Sequence, residues 1–218
     1  MARRTRIKVC GITVLGDAEA AAAVGVDSLG FIFAESPRRI EPEAAREIIR
    51  LLPPMVDATG VFMDEDAQVV EEIIRYCGLT MVQLHGAEPP QYCRDISCRV
   101  MKSFRIGPQS TAGELAAYEG AVQGFLLDTF DPQQAGGTGL VFDWSLVGKV
   151  APPGPVILAG GLHPGNVGEA IRQVRPYAVD VNSGVESRPG IKDLGKIKEF
   201  VEAVRQADDS STDPAILV

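Results

Sequence analysis

The sequence predicts a single α/β domain, a (β/α)8 TIM barrel. Strand-like and helix-like patterns alternate along the chain until about residue 205, giving eight strand-helix units. The strand-like runs are nearly continuous in apolar residues, as in Ser28–Phe33, which suits a parallel sheet covered on both faces. No shift in composition marks a domain boundary between units. Eight parallel strands close a barrel; an open doubly wound sheet is the alternative. At 218 residues the chain is short against the roughly 250 typical of such barrels, so loops and some helices must be reduced. The barrel is expected over residues 1–206, with 207–218 a loose tail.

The first unit opens on Ile7-Lys8-Val9, ends on Cys10-Gly11, and offers Thr13 as the cap of an alanine-rich helix running to Val24. Ser28–Phe33 is the second strand; Pro42 starts its helix, Ala44, Ala45, Ile48, Ile49 and Leu52 form one apolar face, and Pro53-Pro54 stops it. Asp57–Phe62 is the third strand, followed by a helix anchored on Val69, Val70, Ile73 and Ile74. Thr80–His85 is the fourth, with a short helix from Pro89 to Asp95. Val100–Phe104 and Glu114–Tyr118 form the weakest unit. Gly124–Asp128 is the sixth strand, separated by a long loop, Thr129–Phe142, from a helix at Trp144–Val150. Pro155–Ala159 is the seventh; Asn166 and Glu169 read as a capping box before the next helix. Tyr177–Val181 is the eighth, and Asp193 can cap a last helix marked by Leu194, Ile197, Val201 and Val204.

The net charge of −8 argues against a nucleic-acid partner, which would need a basic footprint. A small anion is not excluded, because local backbone N–H groups can hold one. No run approaches a membrane span of about 20 apolar residues. The basic opening Met1–Arg6 is not followed by a secretory apolar stretch, since Lys8 interrupts it. The four cysteines fit neither a metal set nor a disulfide scaffold, and read as reduced thiols of a cytoplasmic protein.

Chemistry is expected on the rim where the strands end. Cys10 ends the first strand; a thiol there can be a base if nearby cations or backbone dipoles stabilise the thiolate, although buried cysteine is more often packing. Asp128 ends the sixth strand and Asp180 stands near the end of the eighth, and an aspartate in an apolar strand is not core material. On the rim Asp128 could be a general acid, a substrate ligand or a structural hydrogen-bonding partner. A proton abstraction next to a carbonyl or imine needs one acid and one base. Gly160-Gly161 and Ser183-Gly184 follow the last two strands, where barrels commonly hold a phosphate; tight turns are the plain alternative. Gly136-Gly137-Thr138-Gly139 is a third glycine cluster, suited to covering a ligand. Arg38, after the second strand, can clamp a carboxylate. His85 ends the fourth strand; His163 stands outside any cluster. No Ser-His-Asp or metal arrangement is present in the sequence.

These motifs together resemble the phosphoribosylanthranilate isomerase family of tryptophan biosynthesis. The resemblance runs through Lys8–Thr13, Gly30–Phe33, Ser36-Pro37-Arg38, Val82–Gly86, Leu126–Thr129, Gly136–Gly139, Phe142-Asp143-Trp144, Leu158–Leu162 and Asp180–Glu186, in order over nearly the whole chain. It implies a cofactor-free, metal-free Amadori rearrangement of N-(5′-phosphoribosyl)anthranilate. Asp128 would be the general acid and Cys10 the general base. Arg38, Gln83, His85 and Asp180 would contact the substrate, and Gly137, Gly160, Gly161, Ser183 and Gly184 its phosphate. A phosphorylated small molecule is the implied partner, and the protein would be a monomer or homodimer. Arg39 stands where many relatives have an aromatic residue. The histidine-pathway aminoaldose isomerase is the nearest rival, but would carry an aspartate where this chain has Cys10. Indole-glycerol-phosphate synthase would need a lysine and glutamate set that is missing. A non-catalytic phosphate-binding barrel would not need an acid-base pair on the rim.

Overall fold

The computed structural model describes residues 4–129 and 144–210. Eight parallel strands close a barrel in sequence order: β1 (Arg6–Val9), β2 (Ser28–Ile32), β3 (Asp57–Phe62), β4 (Met81–Leu84), β5 (Arg99–Ile106), β6 (Gly124–Thr129), β7 (Val156–Leu158) and β8 (Ala178–Val181). The helices between and after them are α1 (Leu15–Ala23), α2 (Pro42–Ile49), α3 (Ala67–Cys77), α4 (Pro90–Asp95), α5 (Ala112–Ala116), α6 (Ser145–Val150), α7 (Val167–Val174) and α8 (Leu194–Ser210). The expected reduction is visible in α4, α5 and α6, each six residues or fewer. The seam is closed by β1 against β8, with Lys8 beside Asp180 and Val9 beside Val181.

Alternation along each strand divides the core into two compartments. Ile7, Val9, Leu29, Phe31, Phe125, Leu127, Val179 and Val181 face outward into the layer shared with the helices. Inside the barrel, Met101, Leu126, Ile157, Ala159 and Ala178 form one apolar cluster. Cys10, Ile32 and Val61 form another. Between and beside them the lumen holds polar side chains, including Lys8, Thr59, Gln83, Ser103 and Asp180, all buried.

Three local expectations give way to tertiary contacts. Thr13 does not cap α1, whose N-cap is Val14 without a side-chain bond; its hydroxyl donates instead to the Gly190 carbonyl. Asn166 is the N-cap residue of α7 but makes no capping bond. Its Oδ1 accepts from the His163 N–H (2.8 Å) and its Nδ2 donates to the Gly161 carbonyl (3.0 Å), so it staples the loop after β7. Asp193 does accept from the Lys196 N–H at 3.1 Å, as expected of a cap. The last helix runs past the expected boundary at residue 206, because Ala207 is buried and Asp208 is anchored. The Asp208 carboxylate accepts from the Thr5 N–H and hydroxyl at 2.8 and 2.7 Å. Residues 211–218, the rest of the expected tail, lie outside the described residues. After β8 the chain adds a 3-10 turn (Ser183–Val185) and an unexpected antiparallel hairpin, β9 (Glu186–Arg188) and β10 (Ile191–Lys192).

Candidate active site

The two residues read from the sequence as base and acid come from strands far apart in sequence and stand at the same end of the barrel, Cys10 after β1 and Asp128 near the end of β6. Cys10 follows β1 directly, and its amide donates to the Val181 carbonyl of β8 at 2.9 Å, which fixes its height at the seam. Its side chain shares the lumen with Lys8, since residues two apart on a strand face the same way. Gly30 on β2 makes the space for it: a Cβ on Gly30 would stand 2.7 Å from the Cys10 sulfur and 3.0 Å from its Cα. Asp128 sits in β6 opposite Arg105 of β5, with its side chain partly open to solvent.

Between these two lies Asp180. Its Oδ2 accepts from the Lys8 ammonium at 2.9 Å in an ion pair almost wholly shielded from water. Its Oδ1 is buried with no hydrogen-bond partner among the described residues. Burial pushes the Asp180 carboxyl above its ordinary range; Lys8 pulls it back, and Asp128 pushes further up. The Lys8 ammonium itself is held above its usual range, because Asp180 and Cys10 outweigh the burial that opposes its charge. Burial likewise raises the Cys10 thiol, against the pull of Lys8 and Lys192.

His85 follows β4 and reaches Asp128, with Nε2 3.7 Å from Oδ2. Burial, followed by the charges of Arg105 and Lys102, pushes its pKa down to about 4. The imidazole is therefore neutral at physiological pH and the contact is not an ion pair. The Gln83 amide nitrogen stands 3.1 Å from His85 Nδ1 and 3.2 Å from Ser103 Oγ. With that nitrogen donating, the histidine proton belongs on Nε2, facing Asp128. The loop carrying His85 is held from below by Lys102, which donates to the carbonyls of Leu84, Gly86 and Ser103 and pairs with Glu88.

Arg38 enters the same rim from the loop after β2. Its Nε and a terminal nitrogen donate to the two Glu186 oxygens, both at 2.8 Å, a two-pronged contact that fixes the guanidinium plane. Lys192 joins from β10, donating to Glu186 at 2.9 Å and to the Asn182 side chain at 3.0 Å. Burial opposes the Glu186 charge, but the bonds from Arg38 and Lys192 prevail and hold its carboxyl below the ordinary range. Glu186 lies within the motif that closes the family resemblance and was open to reading as a partner for Arg38; Lys192 carries no sequence signal beyond its charge.

The two glycine loops are neighbours. Gly160 and Gly161 both adopt positive φ (83° and 63°), which favours glycine. A Cβ on Gly184 would meet the Leu162 carbonyl at 2.0 Å, so the turn after β8 lies directly against the loop after β7. Gly161 and Ser183 are exposed there. Gly137 lies outside the described residues. Among the described residues no cluster could hold a metal ion. The His163 ring accepts from the Gly165 N–H through Nδ1 at 3.1 Å.

The family model for N-(5′-phosphoribosyl)anthranilate (PRA) isomerase matches residues 7–203. A relative from Moorella thermoacetica named N-(5′-phosphoribosyl)anthranilate isomerase is 51% identical over 210 residues, 96% of this chain and 93% of its own. A solved phosphoribosyl anthranilate isomerase in complex with reduced 1-(o-carboxyphenylamino)-1-deoxyribulose 5-phosphate superimposes with a TM-score of 0.81 at 40% identity, covering 93% of this chain and 99% of that one. Monomers generated from the dimeric Thermotoga maritima enzyme superimpose with a TM-score of 0.80 at 38% identity and the same coverage.

Proposed function

Because the chain belongs to the N-(5′-phosphoribosyl)anthranilate isomerase family, we propose that Cys10 and Asp128 divide the proton transfers of its reaction. The activity is the Amadori rearrangement of N-(5′-phosphoribosyl)anthranilate to 1-(2-carboxyphenylamino)-1-deoxyribulose 5-phosphate, within tryptophan biosynthesis. Substrate and product are isomers, so the chemistry needs protons moved and nothing added. Asp128 gives its proton to the ribose ring oxygen; the ring C–O bond breaks and the anthranilate nitrogen supplies the electron pair of a Schiff base. The Cys10 thiolate then takes the C2′ proton, and those electrons close the enolamine, which tautomerises to the ketone.

The observation that carries this assignment is the shared lumen. Cys10 and Asp128 stand on one rim, with Asp180 close enough to act electrostatically on both. His85, neutral and with Nε2–H toward Asp128, can orient that carboxyl without competing for its proton. Gln83 holds His85 in that tautomer. Arg38, held by Glu186, presents its remaining face to the anthranilate carboxylate. The Gly160-Gly161 and Ser183-Gly184 turns, with the region containing Gly137, receive the phosphate. Among the described residues no helix is long and apolar enough to cross a membrane. We place the enzyme in the cytoplasm, which the free thiols support.

Positioned acid and base groups each contribute roughly 10²–10⁴ in rate. Cys10→Ala and Asp128→Asn are therefore each expected to lower kcat by at least about a hundredfold, with KM moving far less. Loss of substrate fluorescence reads the rate. Near-normal kcat in Cys10→Ala would return Cys10 to packing.

A further inference from the structure

Three buried lysines reach the site, and they are partnered differently. Lys102 is surrounded by three carbonyl oxygens and Glu88. Lys192 donates to Glu186 and to the Asn182 side chain and carbonyl. Lys8 donates to a single described oxygen, Asp180 Oδ2. An ammonium carries three N–H donors, and Lys8 shares its face of the strand with the Cys10 thiol two residues on.

We propose that Lys8 is a positioning residue for the base: its ammonium stabilises the Cys10 thiolate, and Asp180 limits how much of that charge the sulfur experiences. The inference rests on the reading of Cys10 as base. Packing does not call for a lysine here, since a buried ion pair contributes no more stability than apolar side chains of similar volume. The arrangement instead places a cation beside a sulfur that burial would otherwise keep protonated.

The charged groups facing Cys10 come from several elements: Lys8 on β1, Asp180 on β8, Lys192 on β10 and Arg38 after β2. Asp128 and His85 face Asp180 from β6 and the end of β4. Arg38 and Lys192 both spend their charge on Glu186. Lys8 is the strongest influence toward the thiolate and Asp180 the main charge opposing it. The ammonium keeps its charge through neutral pH, because its own proton affinity is raised.

The two members of the pair should therefore move the thiol in opposite directions. The measurement is the ultraviolet thiolate absorbance of the resting enzyme as a function of pH. Subtracting the matching Cys10→Ser protein cancels the other three cysteines. Lys8→Met is expected to raise the Cys10 pKa by at least about one unit, a tenfold loss of thiolate. Asp180→Asn is expected to lower it. The rising limb of kcat/KM against pH should shift alkaline in Lys8→Met, with KM changed little and activity recovering as pH rises. If Lys8→Met is unstable because Asp180 is left unpaired, Lys8→Met/Asp180→Asn removes both charges. Its Cys10 pKa should still rise, as the lysine is the larger influence.

A thiol pKa unmoved by loss of Lys8, or moved the same way by both single substitutions, would overturn the proposal. The base assignment fails separately: near-normal kcat in Cys10→Ala would remove it whatever the titration shows.

Discussion

Gly30 determines whether the thiol occupies its position. Its backbone is not among the positive-φ residues, so alanine can adopt the same conformation. The added methyl nevertheless has no space, standing 2.7 Å from the Cys10 sulfur. Gly30→Ala is therefore expected to fold, with its melting temperature lowered by a few degrees, and to lose about 10²-fold in kcat, the cost of displacing a reacting group by an ångström. Circular dichroism and steady-state kinetics check the two halves of that statement. Unchanged kcat would mean that the sulfur position is not critical. In the sequence Gly30 was legible as part of an apolar run and of the Gly30–Phe33 motif, neither of which shows what it touches. Its role depends on a neighbour twenty residues earlier, which no local pattern displays. Lys8 was obscured in a similar way, as an interruption of an apolar strand. Alternation explains it once the barrel is closed: an inward position that is polar implies a polar lumen partner, here Asp180. Asp128 and Asp180 stood out in the sequence because carboxylates at the ends of apolar strands are not core material; Cys10, which alone reads more often as packing, stood out through the company it keeps at the later strand ends.

Strands were the readable elements and their supports were not. The apolar runs of β2, β3 and β6 placed those strands to within a residue or so. The β9–β10 hairpin escaped because its strands are three and two residues long and mostly polar, too short for any period. Caps were misread at Thr13 and Asn166 because both side chains found long-range or loop carbonyl and amide partners that outcompeted the helix end. The hairpin matters to function through Glu186, which bonds Arg38 and Lys192 together. Glu186→Gln keeps the shape but removes the charge that sets the guanidinium plane. KM for the substrate is expected to rise about tenfold, the value of one well-placed ionic contact of roughly 1.4 kcal/mol, while kcat changes less. Equal losses in kcat and kcat/KM would instead place Arg38 in transition-state stabilisation.

At the scale of the molecule, Met55, between α2 and β3, is 90% exposed and Leu51 54% exposed. Met55 precedes β3, at the end of the barrel away from the rim that carries Cys10 and Asp128. Met55→Asp is therefore expected to leave kcat within about twofold of the parent and the melting temperature nearly unchanged, as steady-state kinetics and thermal melts can check. The closed barrel was legible from eight alternating units, and its closure has a consequence for folding. Lys8 and Asp180 lie 172 residues apart, so their bond cannot form before β8 docks on β1. A partly folded barrel that shielded β1 from water without β8 would leave the Lys8 ammonium without that carboxylate, a state costing several kcal/mol. The pair thus makes completion of the seam an all-or-none event, with the eighth strand as the piece that ends it.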